Sequence, residues 1–118
     1  MRNYYIEKLI NELENKVEIK EPQHIRHYLS RFIDLIDLLP IAVSIAKKHF
    51  PESSIVLDIY VDPEINDSYI VLYIRLGQYD ESFIDKLAIA ESELLPLLAG
   101  REGWIQMSTD FKPVGNNK

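Results

Sequence analysis

A chain of 118 residues with no cysteine has the length of one domain, and it excludes disulfides, thiolate metal sites and cysteine nucleophiles together. Hydrophobic residues at 47% and charged residues at 27% are a globular balance, so a buried core is expected rather than disorder. Nineteen acidic residues against thirteen basic ones leave a net charge of −6, and Arg26, Arg31, Lys47 and Lys48 cluster too thinly for a phosphate backbone, so no nucleic-acid partner is expected.

The opening Met1-Arg2-Asn3-Tyr4-Tyr5 lacks the apolar core of a signal peptide, and the longest apolar runs are far shorter than a membrane span. A cytoplasmic location with no membrane partner is the expectation. From Asn3 to about Lys16, Ile6, Leu9, Ile10 and Leu13 recur at helical spacing opposite Glu7, Lys8, Glu12 and Glu14, which predicts a surface helix with one buried stripe. Val17 to Glu21 reads as a connector or a short extended piece. Pro22 suits a helix first turn, where its missing N–H costs nothing. Ile25, Leu29, Phe32, Ile33 and Ile36 carry the stripe onward, with a break near Ser30. Pro40 predicts the start of another helix, with Ile41, Ala42, Ile45, Ala46 and Phe50 on its apolar side and Pro51 after its end.

The period then changes from helical to alternating. Ile55, Leu57, Ile59 and Val61 point one way along Ser54 to Asp62, and Ile70, Leu72, Ile74 and Leu76 do so along Asp67 to Leu76. Pro63-Glu64-Ile65-Asn66 between them is turn-like, with Asn66 able to take a left-handed conformation. A hairpin closed there sets Asp62 opposite Asp67, Ile59 opposite Ile70, Leu57 opposite Leu72 and Ile55 opposite Ile74. A slip of one residue would put the aliphatic sets on opposite faces, so this register is strongly specified. Asp80 is a candidate N-cap for a helix with Phe83, Ile84, Leu87, Ala88, Leu94, Leu95 and Leu98 as its buried stripe, tightened at Pro96 and ended at Gly100. Gly103 to Phe111 alternates again and predicts a third strand.

The order is helices, then β-β-α-β. The expectation is one α+β domain: a helical part over 1–50, a ββαβ unit over 54–111 and a frayed tail over 112–118. The sheet is expected to be three-stranded and mainly antiparallel, with a helix on its aliphatic face and the third strand beside the first. The other arrangement, third beside second, makes that pair parallel and needs a crossover. The N-terminal helices would pack on the same core or cap an edge.

The other sheet face carries Val56, Asp58, Tyr60, Tyr69, Val71, Tyr73, Arg75, Trp104, Gln106, Ser108 and Asp110. Aromatics with one Arg and no Lys match protein interfaces and their energetic anchors. Three readings are open: an interface, a solvent face with cross-strand pairs such as Tyr60 beside Tyr69, or a face covered by the N-terminal helices. Asp58 and Asp110, with Asp62, Glu64 and Asp67 at the hairpin end, could instead hold a divalent cation and activate water. No spacing among them is diagnostic of a metal loop. His24 and His27 share a helix face but two imidazoles are too few for zinc, and His49 lies far along the chain. No nucleophile elbow and no phosphate-cradling glycine loop is present, so no catalytic residue, cofactor or metal is assigned.

Asp37-Leu38-Leu39-Pro40, Asp62-Pro63-Glu64, Tyr69-Ile70-Val71-Leu72-Tyr73, Tyr79-Asp80-Glu81, Gly103-Trp104 and Thr109-Asp110-Phe111 together resemble a family of small uncharacterised prokaryotic proteins, over most of the chain after about Pro22. The resemblance implies a compact α+β domain. Its motifs are not catalytic signatures, and no functional residue is carried over from it.

The expected function is a non-enzymatic interaction or regulatory module. It would form a homodimer or bind a small intracellular protein, with Tyr60, Tyr69, Tyr73 and Trp104 as anchors and Arg75 and Asp58 setting orientation. The alternative is a small divalent-metal-dependent hydrolase on the sheet-face carboxylates.

Overall fold

In a computed structural model that describes residues 2–65 and 67–112, the order of elements is α1 (Arg2–Glu14), β1 (Glu18–Ile19), α2 (Pro22–Arg31), a 3-10 turn (Ile33–Leu35), α3 (Leu38–His49), β2 (Ser54–Asp62), β3 (Asp67–Arg75), α4 (Phe83–Leu98) and β4 (Ile105–Ser108). The architecture is α+β: four α-helices and a four-stranded mixed sheet in the order β1-β2-β3-β4. The expected turn role of Asn66 and the tail beyond Lys112 lie outside the described residues.

The hairpin forms in the register that the alternation specifies, with Asp62 opposite Asp67 and Leu57 opposite Leu72. Its hydrogen-bond phase follows from its neighbours. The Lys20 N–H donates to the Leu57 carbonyl at 3.0 Å, and the Ile70 N–H donates to the Trp104 carbonyl at 3.1 Å. Leu57 and Ile70 therefore turn their main-chain groups away from the hairpin. Ile55·Ile74, Leu57·Leu72 and Ile59·Ile70 are then the non-hydrogen-bonded pairs, whose side chains approach most closely. The aliphatic face is thus built from the tighter class of pair.

The expected three-stranded, mainly antiparallel sheet is corrected in two places. The strand beside β2 is β1, a two-residue parallel pairing of Glu18 with Val56 and Ile19 with Leu57. Two residues have no readable period, which is why this segment reads in the sequence as a connector or short extended piece and not as a member of the sheet. With that edge occupied, β4 lies beside β3 and parallel to it, with Ile70 opposite Ile105 and Tyr73 opposite Ser108. α4 supplies the crossover such a pair needs.

All four helices bury their apolar stripes on one side of the sheet. Ile6, Ile10, Ile25, Leu29, Leu39 and Leu94 join Leu57, Ile70, Leu72, Ile74, Ile105 and Met107 in one cluster. Val56 and Val71, on the other face, are buried but do not belong to it. The N-terminal helices therefore share the core and do not cover the aromatic face.

Several boundaries differ from expectation. α3 begins at Leu38, so Pro40 sits in its first turn. The N-cap position of α4 is Ser82 rather than Asp80, and the Ser82 side chain makes no capping bond; the Asp80 carboxylate accepts from the Ser82 N–H at 2.9 Å and from its hydroxyl at 2.6 Å, a side-chain turn that precedes the helix. Pro96 is tolerated near the end of α4, and Gly100 follows at φ +82°. β4 stops at Ser108, and Phe111 leaves the alternation at φ +58°. Among the described residues no helix is long and apolar enough to cross a membrane.

Candidate interaction face

The register arranges the helix-free face in rows running across the strands. Tyr60 and Tyr69 are direct partners, and the β3·β4 register carried one residue further sets Trp104 beside Tyr69. The next row is Asp58, Val71 and Gln106. Then come Val56, Tyr73 and Ser108, with Glu18 at the margin. Arg75 and Asp110 close the far end. The structure thus gathers all six interface candidates, Asp58, Tyr60, Tyr69, Tyr73, Arg75 and Trp104, on one surface.

The aromatic row is packed and partly open. The Tyr60 and Tyr69 rings lie 5.2 Å apart at 30°. Tyr60 is 42% exposed and Trp104 37%, while Tyr69 and Tyr73 are half-buried. Burial pushes the phenols of Tyr69 and Tyr73 above their ordinary range, helped at Tyr73 by the charges of Asp58 and Asp110. Both stay neutral hydrogen-bonding groups at ordinary pH.

Trp104 is held from three directions. Its main-chain N–H donates to the Tyr28 hydroxyl at 3.1 Å, and that hydroxyl in turn donates to the Ser68 carbonyl at 3.3 Å. Its indole N–H donates to the Gln106 side-chain oxygen at 3.1 Å, and the Gln106 amide reaches the Glu91 carboxylate on α4. Just before it, Gly103 is pressed against the 3-10 turn: a Cβ there would meet the Leu35 Cδ1 at 2.5 Å and the Phe32 Cβ at 2.9 Å. Arg101 ties the same segment down by donating to the Asp34 carbonyl and to the Asp37 carboxylate, the latter at 2.9 Å. The ring is therefore displayed by a fixed backbone.

The carboxylates proposed as cation ligands have other partners. Asp110 accepts two contacts from the Arg75 guanidinium. Burial pushes its carboxyl up, but Arg75 and the Lys112 N–H pull it further down, so it lies below the ordinary range. Asp58 accepts the Ile59 N–H at 2.8 Å, and Asp62 accepts the Glu64 N–H at 2.9 Å in the hairpin turn. Among the described residues no group of three or more His, Asp or Glu side chains converges as a metal site would require. His24 and His27 are exposed. His49 meets Glu93 at 2.7 Å and borders a cleft of about 290 Å³ with Asp80, Ser82 and Lys86, but Ser82 gives its proton to Asp80.

A second surface was not legible in the sequence. The expected stripe of α4 includes Ile84, Ala88 and Leu95; the buried one is Phe83, Ala90, Leu94 and Leu98, with Leu87 half-buried. Ile84 at 60% and Leu95 at 51% exposure face outward with Ile89 and Leu97, and Ile41 of α3 is also exposed. The available signal was that the last turn of α4, Leu94-Leu95-Pro96-Leu97-Leu98, is apolar on every side.

Comparison of the chain with family models, with curated proteins and with solved structures finds no match.

Proposed function

We propose that this chain is a non-enzymatic interaction module that binds a second copy or another protein through the helix-free face of its sheet. The observation that supports it is the one-sided architecture: four helices pack on the aliphatic face, and the opposite face presents a Tyr60–Tyr69–Trp104 row on a rigid backbone. Large aromatics on pre-positioned strands give contact area at little entropic cost on binding. Arg75 and Asp110, already paired, add a polar margin of fixed geometry.

The test is association of the purified chain and its Trp104→Ala and Tyr73→Ala variants, by sedimentation and by co-purification with a partner. Both variants are expected to stay folded by circular dichroism and to lose association. Association equal to the parent's in both would remove this face as the interface.

A further inference from the structure

Among the described residues, the nine-residue β2 is covered on its outer edge at only two positions, Val56 and Leu57. The Lys20 N–H on the Leu57 carbonyl is the last bond there. Main-chain groups alternate sides along a strand, so Ile59 and Val61 are the next to aim N–H and C=O outward. The Ile59 N–H is occupied by the Asp58 carboxylate at 2.8 Å. Among the described residues, neither the Ile59 carbonyl nor either main-chain group of Val61 has a partner across this edge. Across the hairpin, the equivalent edge of β3 is closed. The Ser68 N–H donates to Asp67 at 2.9 Å, and its carbonyl accepts from Tyr28 at 3.3 Å. One edge of the hairpin tip is finished and the other is open.

The charges beside the open edge select its occupant. Asp58 and Asp62 flank Tyr60 on the helix-free face, and exposed Glu64 follows in the turn. Lys20, set beside Asp58 by the β1 register, is the cation opposing them. A second copy laid antiparallel about Tyr60 would place each Asp58 opposite an Asp62, two like-charged pairs in chains already at −6. We infer that the edge from Ile59 to Asp62 accepts, by strand addition, an extended basic segment of another protein, with one cationic side chain opposite Tyr60 and a second opposite Asp62. The first cation lies within diagonal reach of both Asp58 and Asp62 and over the Tyr60 ring. By drawing the Asp58 carboxylate toward itself it frees the Ile59 N–H for the incoming strand, so the cap is released by the guest that carries the matching charge. The residue between the cations falls beside Val61, the one after the first cation falls beside Ile59, and both are best aliphatic. This inference rests on the interaction-module reading and names its partner's chemistry.

The probe is the peptide acetyl-Lys-Val-Arg-Val-amide, with acetyl-Glu-Val-Glu-Val-amide as control, titrated into the full chain labelled with ¹⁵N. The basic peptide is expected to give saturable amide shifts at Ile59, Tyr60 and Val61, slow exchange of the Val61 amide, and bind at least about tenfold tighter than the acidic one, from two reversed charge pairs. Val61→Pro, which removes an outward N–H without touching the β3 ladder, is expected to abolish these shifts. If that variant unfolds, Val61→Lys tests the same edge by charge. Shifts that are absent, that map away from β2, or that are equal for both peptides overturn the inference. If association is still lost in Trp104→Ala while the basic peptide fails, the edge inference alone falls. If association ignores Trp104→Ala and Tyr73→Ala, the reading beneath it falls.

Discussion

Arg75 grips Asp110 at two points, Nε to Oδ1 at 3.2 Å and Nη2 to Oδ2 at 2.8 Å, although 35 residues separate them. The side chains are only 12% and 20% exposed, so the pair is less screened than an ordinary surface ion pair. Asp110→Asn is expected to cost about 1.5–3 kcal/mol, the range for hydrogen bonds to charged groups. Arg75→Lys should cost less, because it keeps the charge and loses the fork. Urea unfolding of the three proteins checks both. The pH dependence has a definite sign. The folded carboxyl is depressed, so the pair's contribution is complete above the unfolded value of about 3.9 and is lost as pH falls through the lower folded value. The acid side of the stability curve should flatten in Asp110→Asn.

Tyr28→Phe removes one hydroxyl that serves two strands. The Trp104 N–H loses its acceptor and the Ser68 carbonyl its donor. A loss of about 1–3 kcal/mol is expected, since half-buried groups are left unpaired. Trp104 fluorescence anisotropy should fall in the folded variant as its backbone loosens. Unchanged anisotropy with unchanged stability would show that the hydroxyl does not position the ring.

Gly103→Ala is expected to destabilise by about 1–3 kcal/mol, the usual cost of overpacking. Its new methyl would lie 2.5–2.9 Å from atoms of Leu35 and Phe32, so the 3-10 turn or the start of β4 must shift. A melting temperature equal to the parent's would mean that the turn yields freely.

Ile84→Gln and Leu95→Gln should each change stability by no more than about 0.5 kcal/mol, as exposed substitutions do. Both side chains point away from the core. A loss above about 2 kcal/mol in either would show that this face of α4 is buried in solution against another molecule.

The hairpin was legible because alternation of period two, read against the four turn-like residues Pro63-Glu64-Ile65-Asn66, admits only one register that keeps Ile55, Leu57, Ile70 and Leu72 together. The aromatic face followed directly, since it is whatever the aliphatic face is not. β1 was not legible: Glu18 and Ile19 pair because α1 and α2 deliver them to the β2 edge, and two residues carry no pattern. The position of β4 depended on it, because an occupied edge leaves only the other one. On α4 a stripe at helical spacing could be drawn through Ile84 and Leu95 or through Phe83 and Leu94, and packing alone decides between them. The ties that hold Trp104 cross 76 residues to Tyr28, a distance over which local pattern is silent.

The hairpin is also the one piece of this sheet whose strands are neighbours in the chain. β1 must wait for two helices to close its loop to β2, and β4 must wait for α4. Short loops close earlier than long ones, so the first persistent structure on the folding route is expected to be β2 with β3. Pulse-labelled hydrogen exchange would then protect the inward amides of Asp58, Tyr60, Tyr69 and Val71 before the Ile70 amide that reaches Trp104. A nascent hairpin of this kind is amphipathic from the start, its aliphatic side still bare, and the arrival of the helices is what makes the two sides of the sheet different in fate.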